Sequence, residues 1–302
     1  MFFKGYTLTT ILGALAIFGG LIVLNELTKK NKKLSIFMYI LLPIFMTIFV
    51  WPKIAGGNTW FAWVKTYSAL AGVLIFMGIR YIPSLAKKKW VLFFPAAILV
   101  INIIEAIFAE LEAVNMNGEV VSGLLMQGGV WNYINAAAGV VLVLTMTGTF
   151  GIKVAKTKSK DMVWPDMGWP WIIAYDLWNI SYCYNCISNR SFYAGFILIL
   201  ACTFAEFFLK RGVWLQHRAQ TLSLFAMFSL TVNYGSMSMF QITSTQADLP
   251  KILLASAALI ANVAVMVYQI YTMKKDKRNP LKDDVYVNTN FYKANLEANN
   301  LI

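Results

Sequence analysis

Tyr6-Thr-Leu-Thr-Thr-Ile-Leu-Gly-Ala-Leu-Ala-Ile-Phe-Gly-Gly-Leu-Ile-Val-Leu-Asn-Glu-Leu27 is a run of 22 residues with a single charged side chain, and Thr28-Lys-Lys-Asn-Lys-Lys33 follows it. A helix of that length rises about 33 Å, enough to cross a hydrocarbon core of roughly 30 Å. The run is too long for the apolar part of a signal peptide, and its positive residues follow it instead of preceding it. It therefore reads as a retained first span that starts outside and ends at the cytoplasmic face.

Eight further segments of similar character follow, at 34–51, 60–82, 90–113, 130–152, 168–188, 191–209, 219–241 and 251–273. The charges support this division. Alternate connections carry Lys29 to Lys33, Arg80 to Lys89, Lys153 to Lys160, Lys210 to Arg218, and the stretch from Lys274 onward. Twenty-one of the 26 Lys and Arg residues fall on that side. The opposite side has Lys4, Lys53, Arg190 and Lys251, with Lys65 inside the third segment. A missed or invented span would scramble the alternation. The expected fold is all-α, a polytopic transmembrane bundle of about nine spanning helices, N-terminus outside and C-terminus cytoplasmic.

Residues 1–273 read as the bundle and 274–302 as a polar cytoplasmic tail, rich in Asn and charge and loosely ordered. The longest outer connection, 115–129, contains four glycines around an apolar stretch. It is read as an ordered loop, with a re-entrant lid as the other reading.

Composition agrees with the segment reading. Apolar residues make up 59% of the 302 and charged residues 13%, and mean hydropathy is +0.61. The net charge of +12 lies in short clusters between apolar blocks, the pattern of topology determinants and not of a nucleic-acid groove. Cys183, Cys186 and Cys202 all fall within apolar segments, so no disulfide framework is expected. Cys183 and Cys186 form a C-x-x-C without a second ligand pair, and the one histidine, His217, stands in a basic connection beside Arg218. No metal site, cofactor or catalytic residue is assigned. The last segment has no internal lysine for a retinal Schiff base.

The most polar segment carries the candidate site: Trp169-Pro-Trp-Ile-Ile-Ala-Tyr-Asp-Leu-Trp-Asn179, continuing through Tyr182, Asn185 and Asn189. At 100° per residue, Trp171, Tyr175, Trp178, Asn179, Tyr182 and Asn185 share one half of the helix, with Asp176 at its edge. A carboxylate near the bilayer middle costs at least about 2.5 kcal/mol, so Asp176 must face protein or water. Amides, phenols and indoles beside it suit a small-molecule ligand. The competing reading is a polar seam that locks this helix to its neighbours.

Other polar residues have positions from which they can converge on it. Asn102, Glu105 and Glu112 share a face of the fourth segment, and Glu110 is turned away, near the outer interface. Glu105 joins the substrate-binding set as a second titrating group. Lys65 sits at a depth where a carboxylate of the fourth segment can meet it, or where it can snorkel outward.

The run Trp171-Ile-Ile-Ala-Tyr-Asp-Leu-Trp-Asn-Ile-Ser-Tyr-Cys-Tyr-Asn-Cys186, with Trp214-Leu-Gln-His-Arg-Ala-Gln-Thr-Leu222 after it, resembles an uncharacterised bacterial family of polytopic membrane proteins, a domain of unknown function. The resemblance implies a bacterial plasma membrane and carries no activity or residue role.

The leading expectation is a small-molecule transporter or permease, not an enzyme. The alternatives are a ligand-sensing or partner-binding membrane protein without transport, and a membrane enzyme using Asp176 and Glu105 as an acid–base pair. Expected partners are membrane lipids and a small-molecule ligand, with no nucleic acid. Small residues such as Ala16 and Gly20 permit close helix contacts within one chain or in a homo-oligomer. Substrate, coupling ion and oligomeric state are not legible.

Overall fold

Residues 1–54 and 60–302 are described by a computed structural model. Nine main helices occur among them: α1 Leu8–Lys30, α2 Lys32–Ile54, α3 Trp60–Tyr81, α4 Lys89–Ala113, α5 Val130–Leu144, α6 Trp169–Cys186, α7 Phe192–Leu209, α8 Trp214–Thr231 and α9 Asp248–Asp276. A short tenth helix, α10 Asn290–Glu297, lies in the tail. The connection 55–59 is outside the described residues.

Local chemistry explains the helix ends. Thr7 caps α1, its hydroxyl accepting from the Thr10 amide at 3.2 Å while the Thr10 hydroxyl takes the Thr7 amide at 2.8 Å. Asn31 ends α1 and begins α2, its side chain accepting from the Leu34 amide. Within α2, Pro43 offers no amide to the turn before it, and the hydrogen bonding widens to π type at Phe37–Leu41 and Met46–Val50.

Among the described residues, six helices are long and apolar enough to cross a membrane: α1, the α2 helix, α3 from Ala62, α4, α7 and α9. Large apolar side chains stand exposed along them, among them Leu15 on α1, Ile48 on α2, Ile101 on α4 and Ile260 on α9. A soluble monomer rarely exposes so much contiguous apolar surface, which is the surface a bilayer covers. The chain is thus a membrane-embedded, all-α bundle. The other three main helices are shorter or more polar; α6 and α8 are largely buried and carry much of the polar chemistry.

Two cores fill the bundle. One draws mainly on α4, α5, α6 and α9, with Ile103, Ala138, Trp178 and Val265 at its centre. The other draws on α1, α2, α7 and α8, with Leu21, Tyr39, Leu198 and Leu224. The α6 and α7 helices touch closely, since a Cβ at Gly195 would stand 2.6 Å from that of Cys183.

The lysine-rich connections meet at one end. There Arg80 donates to the Lys29 carbonyl at 2.8 Å and the Ser159 carbonyl at 2.9 Å, and pairs with buried Asp161 at 3.6 Å. Asp161 also accepts from Gln216 at 2.9 Å. At the other end β1 Phe3–Lys4 pairs antiparallel with β4 Thr243–Ser244. A hairpin also lies there, β2 Asn117–Val121 against β3 Leu124–Gln127. The two residues at its tip, Ser122 and Gly123, both have positive φ (52° and 78°), as a two-residue turn between twisted strands requires.

Two sequence expectations change. The fifth helix stops at Leu144 instead of 152, because Thr147 turns to hydrogen-bond Asp166 at 2.5 Å and Gly148 adopts φ +65°. The eighth begins at Trp214 instead of 219 and ends at Thr231. Its start is fixed by the Glu206 carboxylate, which accepts from the Gly212 and Val213 amides, so His217 lies on a buried helical turn and not in a connection. The 115–129 connection, expected as an ordered loop, contains the β2–β3 hairpin.

The tail is folded, against the expectation of loose order. The Asp166 carboxylate accepts from the Val285 amide at 3.0 Å and the Tyr286 amide at 2.7 Å. Asn295 donates to the Pro165 carbonyl at 3.1 Å, Asn299 to the Arg211 carbonyl at 2.8 Å, and Lys210 to the Ala298 carbonyl. Tyr286 stacks on Tyr268 of α9. Polar composition here serves backbone groups of the neighbouring loops instead of water.

Candidate functional site

The α6 helix presents a ladder of rings. Trp171 stacks on Tyr175 at 5.6 Å, Tyr175 lies 5.6 Å from Trp178, and Trp178 stacks on Tyr182 at 6.2 Å. Spacings of three and four residues put all four on one side of the helix. Trp214 of α8 meets Tyr175 edge-on at 4.8 Å.

Beside this ladder, between the two cores, is a cavity of about 310 Å³ walled by α3, α4, α6, α7 and α8. That volume is at the lower end of the range for small-molecule sites. Tyr175, Trp178, Asn179 and Tyr182 line it. It reaches from the hairpin tip at Ser122–Leu124 to Leu215 and Arg218 in the first turns of α8. Asn189 fixes the tip, donating to the Gly123 carbonyl at 3.1 Å and accepting from the Leu125 amide at 3.2 Å.

The other expected site residues lie elsewhere. Asp176 accepts from the Thr203 hydroxyl at 2.7 Å, and Thr203 in turn accepts from Trp214 Nε1 at 3.0 Å. This chain of bonds ties α6, α7 and α8 together behind the cavity wall. Trp171 donates to the Leu142 carbonyl at 3.3 Å. Glu105 meets Lys65 at 2.7 Å on a half-exposed flank, and Lys65 itself lines the cavity. Asp176 and Glu105 therefore serve different partners and do not form a pair.

Asn185 belongs to a separate constellation, with Asn132 and Asn135 of the fifth segment as sequence polarity suggests, but centred on Glu110, which the sequence reading turned away. Its side-chain amide donates to Glu110, as do Asn132 at 2.5 Å and Asn135 at 2.7 Å. Glu110 is fully buried, though the helical wheel turned it away from the polar face. The wheel placed it correctly relative to Glu105. It could not show that α5 and α6 bring three amides to the other side.

Arg218 is the second missed residue. It was counted with the cytoplasmic charges, yet it is only 8% exposed and lines the cavity beside the Tyr175 hydroxyl. A clue was present in Trp214-Leu-Gln-His-Arg-Ala-Gln-Thr, whose aromatic start resembles a helix end more than a loop. Three cations thus line the cavity, Lys65, Arg190 and Arg218, and no carboxylate does among the described residues. Cys183 and Cys186 are buried, with Cys186 directed at the Ala109 carbonyl. Among the described residues no cluster of three or more His, Cys, Asp or Glu has metal-binding geometry.

Neither a curated protein nor a solved structure matches the chain. A family of unknown function (DUF5692) matches residues 5–298, nearly the whole sequence, and the chain belongs to that family.

Proposed function

We propose that this protein is a multi-pass plasma-membrane permease for a small molecule. In this reading all nine main helices span the bilayer, with the N-terminus outside and the tail in the cytoplasm. The distribution of Lys and Arg supports the orientation, since the basic connections collect at one end. The α5 helix is short at 15 residues, but non-helical backbone is tolerated at membrane depth where protein surrounds it. The observation that carries the permease reading is the reach of the cavity. One continuous space is lined at one end by the hairpin tip and at the other by the first turns of α8. Alternating access needs a site that can be opened from either side.

The test uses single-cysteine variants Ser122→Cys and Leu215→Cys in oriented membrane vesicles, labelled with a membrane-impermeant maleimide. A permease shows reciprocal changes at the two positions when a transported compound is added. Accessibility that stays fixed at both positions, with a compound that measurably binds, would replace transport with ligand sensing.

A further inference from the structure

The charge of the cavity narrows what it accepts. Arg218 projects from α8 into the region between the two cores, where it is buried and an uncompensated cation is expensive. Its Nε and Nη1 have no hydrogen-bond partner among the described residues, and it makes no ion pair there. The nearest candidate carboxylate, Asp176, follows Tyr175 on α6. Its Oδ2 accepts from Thr203 and its Oδ1 has no hydrogen-bond partner among the described residues, but no Asp176 oxygen lies within 4.0 Å of the guanidinium to form an ion pair. Tyr175 touches the guanidinium, but a phenol hydroxyl brings no negative charge to balance it.

Arg190 adds positive charge at the hairpin end, its guanidinium 5.9 Å from the Tyr234 ring. About eleven residues of α8 separate Arg218 from Ser229, another lining residue, which at 1.5 Å per residue is roughly 16 Å of depth. Positive groups therefore stand at both ends of a space walled mainly by aromatic and aliphatic side chains, with Lys65, Asn102 and Asn179 among its polar ones.

We infer that the cavity takes a small organic anion, with a carboxylate or phosphate received by Arg218 and a ring-bearing apolar body against Trp178 and Tyr182. A guanidinium fork matches either anionic group in two parallel hydrogen bonds. The flat faces of the α6 ladder accept a planar body, and Asn179 offers a side-chain amide for a polar substituent on it. This inference rests on the cavity being the ligand site, and it adds the sign of the ligand's charge.

The experiment is a set of shape-matched probes: 3-phenylpropionate, phenyl phosphate, 3-phenylpropanol and 3-phenylpropylamine. Binding is measured by calorimetry on the full chain in nanodiscs of neutral phosphatidylcholine. At least one of the two anions should bind at least about tenfold more tightly than the alcohol and the amine, the margin a charged hydrogen-bonded pair supplies. Arg218→Gln should remove that preference and leave alcohol binding unchanged, and Arg218→Lys should restore part of it. If the glutamine variant does not fold, the wild-type series alone decides.

Equal or tighter binding of the alcohol or amine overturns the anion assignment and leaves the cavity reading standing. No binding of any probe, whatever its charge, counts against the cavity as a ligand site and so against both readings. A further arm replaces part of the lipid with phosphatidylglycerol. Stabilisation by that lipid through Arg218, without binding of the soluble anions, overturns the inference by making the anion a headgroup.

Discussion

Glu110 offers the sharpest test of how the bundle is held together. Its two oxygens accept from Asn132, Asn135 and Asn185, which joins α4 to α5 and α6 at a fully buried point. Replacing it with leucine keeps the apolar volume but leaves three amides without their acceptor. Side-chain hydrogen bonds inside membranes contribute about 0.6 kcal/mol on average and up to about 1.7, so three of them amount to roughly 2–5 kcal/mol. For a bundle of this size that corresponds to a fall in Tm of roughly 5–15 °C. Glu110→Gln retains one acceptor oxygen and sets its own amide against a neighbouring donor, so it should fall between the two. Tryptophan fluorescence during thermal melting of purified protein reads the effect. A second comparison separates the cage from general disturbance of the core. Adding Asn132→Leu to Glu110→Leu should cost less than the sum of the single changes, because a stranded donor is removed with its acceptor. Melting of Glu110→Leu together with wild type would refute the reasoning, as would strict additivity in the double variant.

Three further expectations follow from other parts of the structure. Gly139→Leu should destabilise by about 1–3 kcal/mol and alter tryptophan emission, because a Cβ there would meet Ile107 at 2.7 Å and Trp178 Nε1 at 2.8 Å; unchanged melting and emission would show that α5 can move aside. Burial pushes the Asp166 carboxyl up to about 6 from 3.8, despite its bonds from Thr147, Tyr286 and Val285. Its contribution to the folded tail is therefore complete below about pH 4 and lost as pH rises through 6, on the order of 3 kcal/mol. Hydrogen exchange across 283–299 should be slower at pH 5 than at pH 7.5 after correction for intrinsic rates, with the difference abolished in Asp166→Asn; slower exchange at the higher pH would reverse the sign. Arg80→Gln should cost about 3–5 kcal/mol by stranding buried Asp161, measured by melting, and a wild-type Tm would show that the Gln216 amide and the Ser159 hydroxyl, which both donate to Asp161, suffice for it.

Much of the fold is legible in the sequence because a bilayer imposes length and charge rules. The Lys29–Lys33 and Arg80–Lys89 clusters mark helix ends that the structure places together, and the ring spacing at 171, 175, 178 and 182 forecasts the ladder on α6. Hydropathy fails where a helix is buried by protein instead of lipid. The first turns of α8 read as a polar connection, although Gln216 and His217 are fully buried and bonded to Asp161 and Asn25. That error carried Arg218 out of the site and into the topology count. Glu110 was missed for a different reason: a helical wheel orders residues around one axis, and the partners here lie on two other helices. The tail was misread because asparagine enrichment marks disorder only while the amides have no carbonyls to meet. Asn295 and Asn299 find theirs on loops far away in sequence.

The folded tail has a consequence for how the protein is made. Residues 283–299 leave the ribosome after all nine helices, yet they satisfy the carboxylate of Asp166 and the carbonyls of Pro165 and Arg211, and Lys156 donates its amide to the Asn299 carbonyl. The basic face can therefore close only after the nine main helices have been synthesised. A chain interrupted ahead of residue 283 contains all nine main helices and still leaves the Asp166 carboxylate and the Pro165 and Arg211 carbonyls without these partners.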